Sequence, residues 1–413
     1  MKLDPARHAW MSAPETRTVM AVLGDARFVG GAVRNALLAA PVADVDIAVP
    51  LRPEQARAKL AAAGIKVIPT GIEHGTVTAV LGSHSFEITS LRRDVETDGR
   101  HAVIAYTHDW SQDAFRRDFT INALYATAEG EIFDYATGVE DLIAGRVRFM
   151  GDAATRIAED YLRILRLFRF HAWYGKGDID TEALRAAASA KDHLGKLSGE
   201  RVAKEMLRLL ESPVPGPVLR VMAASGILGE VLPGALNLPR LEKLAEIARD
   251  NFFAADPLLR LAALLPDDAK RAAETADRLR LSNAARARLA VALSDASNTG
   301  SDRIVSYLSV REVRKLLYRI GAPAFRDRVM LKWAASPKGA AAIQWRMLLA
   351  MAEAWERPRF PLTGREVMLA GVPEGPDVGR ILAEVEDWWV DCDFAADEFA
   401  LSERLKAIVQ AEL

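Results

Sequence analysis

Two aspartates one residue apart, Asp44-Val45-Asp46, open an apolar run that reaches Val49. On a strand, side chains at i and i+2 leave from the same face, so both carboxylates project together. Like charges that close repel unless a divalent cation neutralises them. An all-oxygen ligand set suits Mg²⁺ or Mn²⁺ rather than zinc. Alone, such a pair describes a solvated strand face equally well. Two neighbours change the weighting. Upstream, Gly30-Gly31 separates a strand from a helix, where backbone N–H groups approach a phosphate closely, and Arg34 one turn later adds a charge-assisted bond. The stretch is neither a G-x-G-x-x-G nor a Walker loop. Downstream, Glu87 between Phe86 and Ile88 offers a third carboxylate on a later strand.

Further along, Asp160, Arg163, Arg166 and Arg169 recur at steps of three on a helix that begins near Glu159. Such steps drift slowly around a helix and give a polar stripe, with Leu162, Leu165 and Phe168 as the parallel apolar one. A salt-bridged solvated face has the same pattern. Arg117, Asp118 and Asn122 fall in a segment that reads as a short helix, with 118 and 122 on one face.

Together these segments resemble the polymerase-β-like nucleotidyltransferase superfamily, and more closely the bacterial tRNA nucleotidyltransferase (CCA-adding enzyme) and poly(A) polymerase family. The motifs are Phe28-Val29-Gly30-Gly31-Ala32-Val33-Arg34, Asp44-Val45-Asp46-Ile47 and Arg116-Arg117-Asp118-Phe119-Thr120-Ile121-Asn122-Ala123. Glu159-Asp160-Tyr161-Leu162-Arg163-Ile164-Leu165-Arg166 and Glu200-Arg201-Val202-Ala203-Lys204-Glu205 follow in family order, so the likeness spans about residues 25–212. Asn35 stands where the family usually has Asp, and Tyr161 where Pro is common.

The resemblance implies nucleotidyl transfer from CTP and ATP to the 3′ end of tRNA, with pyrophosphate released and no template. Asp44 and Asp46 would hold Mg²⁺ or Mn²⁺, with Glu87 as third catalytic carboxylate. Gly30, Gly31 and Arg34 would grip the triphosphate, and Arg117, Asp118 and Asn122 the ribose and phosphates. Asp160 and Arg163, supported by Arg166 and Arg169, would read the base. Cytosine and adenine both present an amino donor beside a ring-nitrogen acceptor, so a carboxylate and a guanidinium fit them and reject guanine and uracil. Poly(A) addition, partial CC- or A-only addition, and an inactive RNA-binding homologue remain the alternatives.

The elements that must position these groups follow from periodicity and punctuation. Strands are expected at 26–29, 45–49, 65–68, 77–81 and 85–91, with helices from Ala32 to about Ala39 and from Glu54 to Ala63. After about Gly151 strand signals stop and alanine- and leucine-rich helical segments continue to the end. The expected fold is an α+β nucleotidyltransferase head (1–145, a small mixed or antiparallel sheet) followed by an all-α neck (146–212), body (213–335) and tail (336–413). The charged stretch Arg92–His101 reads as a mobile loop, and His74 as a turn residue.

Composition narrows the setting. With 50% hydrophobic and 27% charged residues, disordered and fibrous classes are excluded. A single cysteine, Cys392, excludes a disulfide framework and a thiolate zinc cage. No apolar run approaches the ~20 residues of a membrane span, and the N-terminus lacks a signal-peptide stretch, so a cytoplasmic protein without membrane contact is expected. Monomer and homodimer both stay open. The net charge of −2 hides an uneven layout. Residues 301–340 carry nine Lys/Arg against three Asp/Glu, and residues 371–413 three against eleven. Arg311, Arg314, Lys315 and Arg319 thus become candidate RNA-phosphate contacts, with the acidic tail expected to face away from them.

Overall fold

A computed structural model describes residues 1–69, 71–72, 75–97, 102–294, 303–337, 339 and 341–412. His74 and the 98–101 part of the charged stretch lie outside the described residues. The chain divides into two compact units, Met1–Gly234 and Ala235–Leu413.

The first unit is built on a seven-stranded sheet. Its strands are β1 (Arg27–Val29), β2 (Val45–Val49), β3 (Lys66–Ile68), β4 (Thr76–Leu81) and β5 (His84–Ser90), joined by two strands further along. Between them comes a separate antiparallel ribbon of β6 (Arg92–Thr97) and β7 (Ala102–Tyr106). The sheet is completed by β8 (Leu124–Ala126) and β9 (Ile132–Asp134), in the spatial order β3-β4-β5-β2-β1-β8-β9. Among the described residues only β2 and β5 pair in parallel. Between those two the chain passes through the Pro53–Ala62 helix and the β3–β4 pair, the long crossover that a parallel pair requires. β4 and β5 are joined by the two-residue turn Gly82-Ser83, where Gly82 has φ 58°. Along β5, Phe86 and Ile88 are buried while Glu87 points to the exposed face. The same alternation that makes the strand therefore presents the carboxylate.

Four sequence expectations are corrected. Asp44 stands one residue before β2, and only Asp46 lies within the strand. The stretch expected as a loop is largely the β6–β7 ribbon, because Ala102-Val103-Ile104-Ala105-Tyr106 is a β-prone partner for Arg92 and Arg93. The segment Arg116–Asn122 is a turn followed by a single 3₁₀ turn, Thr120–Asn122, instead of a helix. Finally, the helix expected to begin near Glu159 begins at Leu162 and runs to Tyr174; Glu159 instead ends a separate helix, Ala153–Glu159, with Asp160 extended between the two at φ −157°, ψ 107°.

Beyond Asp134 the described residues contain no further strand, and no helix is long and apolar enough to cross a membrane. In the second unit a hydrophobic cluster joins Tyr318 of the Val310–Ile320 helix to Val367, Ile381, Val385, Trp389, Leu401 and Leu405 of the tail. The charges follow the packing. Arg314 pairs with Asp393 at 2.9 Å, Arg319 with Asp387 at 3.2 Å and Lys315 with Asp391, while Arg311 donates to the Asp391 carbonyl. The acidic tail thus does not face away from the basic helix; it covers it. Opposite charges and the buried Tyr318, whose hydroxyl donates to Glu386, hold the two together. The four side chains expected on RNA phosphates are engaged within the chain itself.

Candidate active site

Asp46 stands directly beside Glu87 in the parallel register of β2 and β5. Asp46 is half-buried, while Asp44 and Glu87 are exposed. Burial first, then the charges of Glu87 and Asp44, push the Asp46 carboxyl up to about 6, against partial relief from Arg117. A half-desolvated carboxylate among like charges is stabilised by a cation. Among the described residues no three His, Cys, Asp or Glu side chains converge as a metal cluster, so a fit rests on the Asp44–Asp46 pair with Glu87 alongside. One or two carboxylates are what Mg²⁺ takes from a protein when substrate phosphates and water complete its octahedron. The donor set therefore fits a hard divalent ion.

Across the sheet, Gly30 adopts φ 64°, ψ −116°, a backbone state reserved to glycine. A Cβ at Gly30 would stand 3.8 Å from Arg117 Nη1 and 3.6 Å from the Asn122 carbonyl. The Arg117 guanidinium is aimed by a buried acid that the sequence reading missed. Its Nε and Nη2 donate to Asp113 Oδ2 at 3.2 and 3.0 Å, and Nε also to the Tyr125 hydroxyl at 3.1 Å. Arg116 Nε donates to the other Asp113 oxygen at 2.8 Å, and the Tyr125 hydroxyl donates to Oδ2 at 2.7 Å. The available signal was the spacing: an acid three and four residues before Arg116-Arg117 on a helix that ends at Phe115.

Burial opposes ionisation of Asp113, yet Arg117 and Arg116 outweigh it and hold the carboxyl down at about 2. Asp113→Asn is accordingly expected to destabilise the fold by about 3–5 kcal/mol, since it strands buried guanidinium charge. The depressed native value fixes the sign. The carboxylate's contribution is complete above its ordinary value of 3.8 and is lost as pH falls through about 2. Urea unfolding at a series of pH values should therefore show the wild-type advantage shrinking over that window. A gap independent of pH would refute the assignment.

A second network runs from the Gly31–Leu37 helix to the Leu162–Tyr174 helix. Arg34 on the Gly31–Leu37 helix is buried, and its Nη1 donates to Asn122 Oδ1 at 2.5 Å. Nη2 donates to the Tyr174 hydroxyl at 2.8 Å and to Asn35 Oδ1 at 3.1 Å, with the ring of Tyr174 4.2 Å from the guanidinium carbon. Arg34 is thus a strut between helices. These contacts turn its face of the helix inward. Asn122 Nδ2 donates to Asp118 Oδ1 at 3.0 Å, and Arg166 Nε to Asp118 Oδ2 at 2.7 Å. Burial opposes the Asp118 charge, but Arg166 keeps the carboxyl below its usual range. Arg166 lies 3.6 Å from Glu205, which also pairs with Arg169. The structure therefore brings Arg34, Asn122, Asp118, Arg166, Glu205 and Arg169 into one chain of contacts. Glu205, absent from the expected site, was legible only as part of the 200–205 motif.

Asp160 lies in the break between helices and has two tasks. Oδ1 accepts from the Leu162 N–H at 3.1 Å, capping the second helix, and Oδ2 accepts from Arg201 at 2.6 Å. Arg163 pairs with Glu159 and donates to the Arg156 carbonyl at 2.8 Å. The stripe read at steps of three is thereby split, with Arg166 and Arg169 turned to Asp118 and Glu205. Of the two departures from the family pattern, Tyr161 stacks on His193 with ring centroids 4.0 Å apart. Asn35 donates to the Pro41 carbonyl at 2.9 Å.

Residues 26–148 match the poly A polymerase head domain family, and residues 178–238 a family described as the probable RNA and SrmB-binding site of polymerase A. The chain is 34% identical over 373 residues to the Danio rerio CCA tRNA nucleotidyltransferase 1, mitochondrial, which covers 88% of this chain and 83% of that protein. The chain belongs to the CCA tRNA nucleotidyltransferase family. A bacterial member of that family, the Streptococcus sanguinis CCA-adding enzyme, is 35% identical over 272 residues, 65% of this chain and 67% of that one. The solved Bacillus stearothermophilus CCA-adding enzyme in complex with CTP superposes with a TM-score of 0.73 at 23% identity, covering 96% and 97% of the two chains, and shows the CCA-adding fold. The two family matches together reach residue 238.

Proposed function

We propose that this chain is an enzyme that adds C, C and A to the 3′ end of tRNA, taking CTP and ATP as substrates without a template. The observation that supports it most is the register of Asp46 beside Glu87, in a chain whose relatives are CCA tRNA nucleotidyltransferases over most of their length. In the reaction the tRNA 3′-hydroxyl loses its proton to solvent as its oxygen bonds to the α-phosphorus, the bond from that phosphorus to the β-phosphate bridge breaks, and pyrophosphate leaves with the electron pair. Asp44 and Asp46 would hold Mg²⁺ or Mn²⁺, with Glu87 supporting Asp46. The divalent ion supplies a lowered pKa at the attacking hydroxyl and charge neutralisation on the pyrophosphate.

The chain's own groups do the rest. Arg117, pinned by Asp113 and Tyr125, keeps Nη1 toward Gly30, where the missing side chain leaves room for a triphosphate. Asp118 and Asn122 sit behind it as the ribose-side pair. Asp160 accepts from the amino group shared by cytosine and adenine, and Arg163 donates to the ring nitrogen. In this reading residues 1–145 carry the transfer, 146–212 the choice of nucleotide, and 213–413 the body and tail. We place the reaction in the cytoplasm, where tRNA and both nucleotides meet. Incubating a tRNA that lacks its 3′ end with each labelled nucleoside triphosphate, singly and together, tests the reading. Three added residues with CTP plus ATP, and none with UTP or GTP, are expected. Long adenosine tracts would indicate a poly(A) polymerase, and two residues or one a partial enzyme.

A further inference from the structure

The helix Leu238–Asp250 runs out into Asn251 and then Phe252, whose φ of 58° lies in the left-handed region that glycine usually fills at helix ends. The next N–H, of Phe253, closes back onto the Ala248 carbonyl at 2.8 Å, so the turn is well formed despite its residue. A β-carbon in that conformation costs energy. Folding returns nothing for it, because Phe252 is 97% exposed. A large aromatic ring held in solvent on a strained backbone is thus a feature that packing does not account for.

Its surroundings point to an occupant. Phe252 stands at the rim of a cleft of about 560 Å³, lined also by Phe253, Pro257, Pro323 and Arg326. Arg288 in the same cleft is neutralised by Asp256 at 2.5 Å and Asp327 at 2.7 Å. Arg326 is exposed and, among the described residues, has no ion-pair partner. Its basic neighbours in sequence are all engaged: Arg314 and Arg319 by the tail, Lys332 by Asp267 at 3.2 Å, and Arg328 by the Val291 carbonyl at 2.9 Å. Among the described cations from Arg311 to Lys332, the one left over is therefore the one that shares the cleft with the exposed ring. An aromatic face accepts any nucleobase, and a guanidinium binds the adjoining phosphate.

We propose that Phe252 and Arg326 form a stacking contact for an unpaired nucleotide of the RNA substrate. This rests on the reading that the substrate is tRNA, and the test separates the two. Wild type, Phe252→Gly, Phe252→Trp and Arg326→Ala are compared for melting temperature, for affinity toward tRNA lacking its 3′ end, and for turnover at saturating tRNA. Glycine suits the backbone at this position, so Phe252→Gly should melt at the wild-type temperature or above it. Its tRNA Kd should nevertheless rise roughly tenfold, with saturated turnover unchanged. Phe252→Trp should restore the affinity, and Arg326→Ala should weaken it with a shallower salt dependence. Equal tRNA affinity for wild type and Phe252→Gly overturns the proposal. So does a loss of self-association with tRNA affinity intact, which would make the ring a contact between copies of the chain. If the wild type itself neither binds nor extends tRNA, the proposed function fails and not merely this contact.

Discussion

Asp46→Ala loses nucleotide incorporation by several orders of magnitude while tRNA affinity stays nearly at wild type: that is the expected result of single-turnover and binding measurements made side by side. The separation follows from where the two kinds of interaction act. Binding energy on the RNA is present before and after the transfer, whereas the carboxylates act on charge that develops only as the bonds change. Asp44→Ala should behave likewise, although Asp44 sits at the mouth of β2 and is more exposed than Asp46. A second readout does not depend on turnover. Mg²⁺ should raise the melting temperature of the wild type, because it relieves the like charge around Asp46, and should leave Asp46→Ala unmoved. A variant that keeps roughly a tenth of wild-type turnover has lost only about 1.4 kcal/mol of transition-state stabilisation, too little for a metal ligand.

Asp160→Ala should relax the discrimination against UTP and GTP about ten- to a hundredfold, each lost base contact being worth ~1–3 kcal/mol. The structure supplies a competing role that must be separated from this one. Asp160 caps the Leu162–Tyr174 helix and pairs with Arg201, and loss of a cap costs about 0.5–2 kcal/mol of stability. Asp160→Asn divides the two, since the amide oxygen can still cap while its NH₂ presents a donor to the base edge. The expected outcome is a melting temperature near wild type with the preference for C and A lost. Competition between CTP and UTP on one tRNA decides it. Unchanged C-over-U preference in both folded variants would leave Asp160 as a structural residue only.

What could be read from the sequence depended on how local each signal was. The 45–49 and 77–81 strands and the Pro53–Ala62 helix announce themselves by alternation and by proline and glycine at their ends. Asp46 and Glu87 were each legible as a carboxylate flanked by apolar residues. Their lateral register was not, because the two lie far apart in sequence and meet only through the long crossover between β2 and β5. β8 and β9 are three residues each and fall below any periodicity. The break at Asp160 escaped because Ile157, Tyr161 and Leu165 recur at steps of four straight across it, with no glycine or proline to mark it. Nothing local to Arg34 reveals that Tyr174, far along the chain, accepts from it.

The tail laid over the Val310–Ile320 helix has a consequence for how this face meets polyanions. It carries its counterions covalently. Were a phosphodiester backbone to settle on Arg314 or Arg319, it would displace a tethered carboxylate, Asp393 or Asp387, instead of water. The alkali cations shed by the RNA would then be taken up by the carboxylates set free, and the usual entropic gain from their release would largely cancel. Ionic strength, which governs most protein–RNA encounters, would have little hold on this one surface.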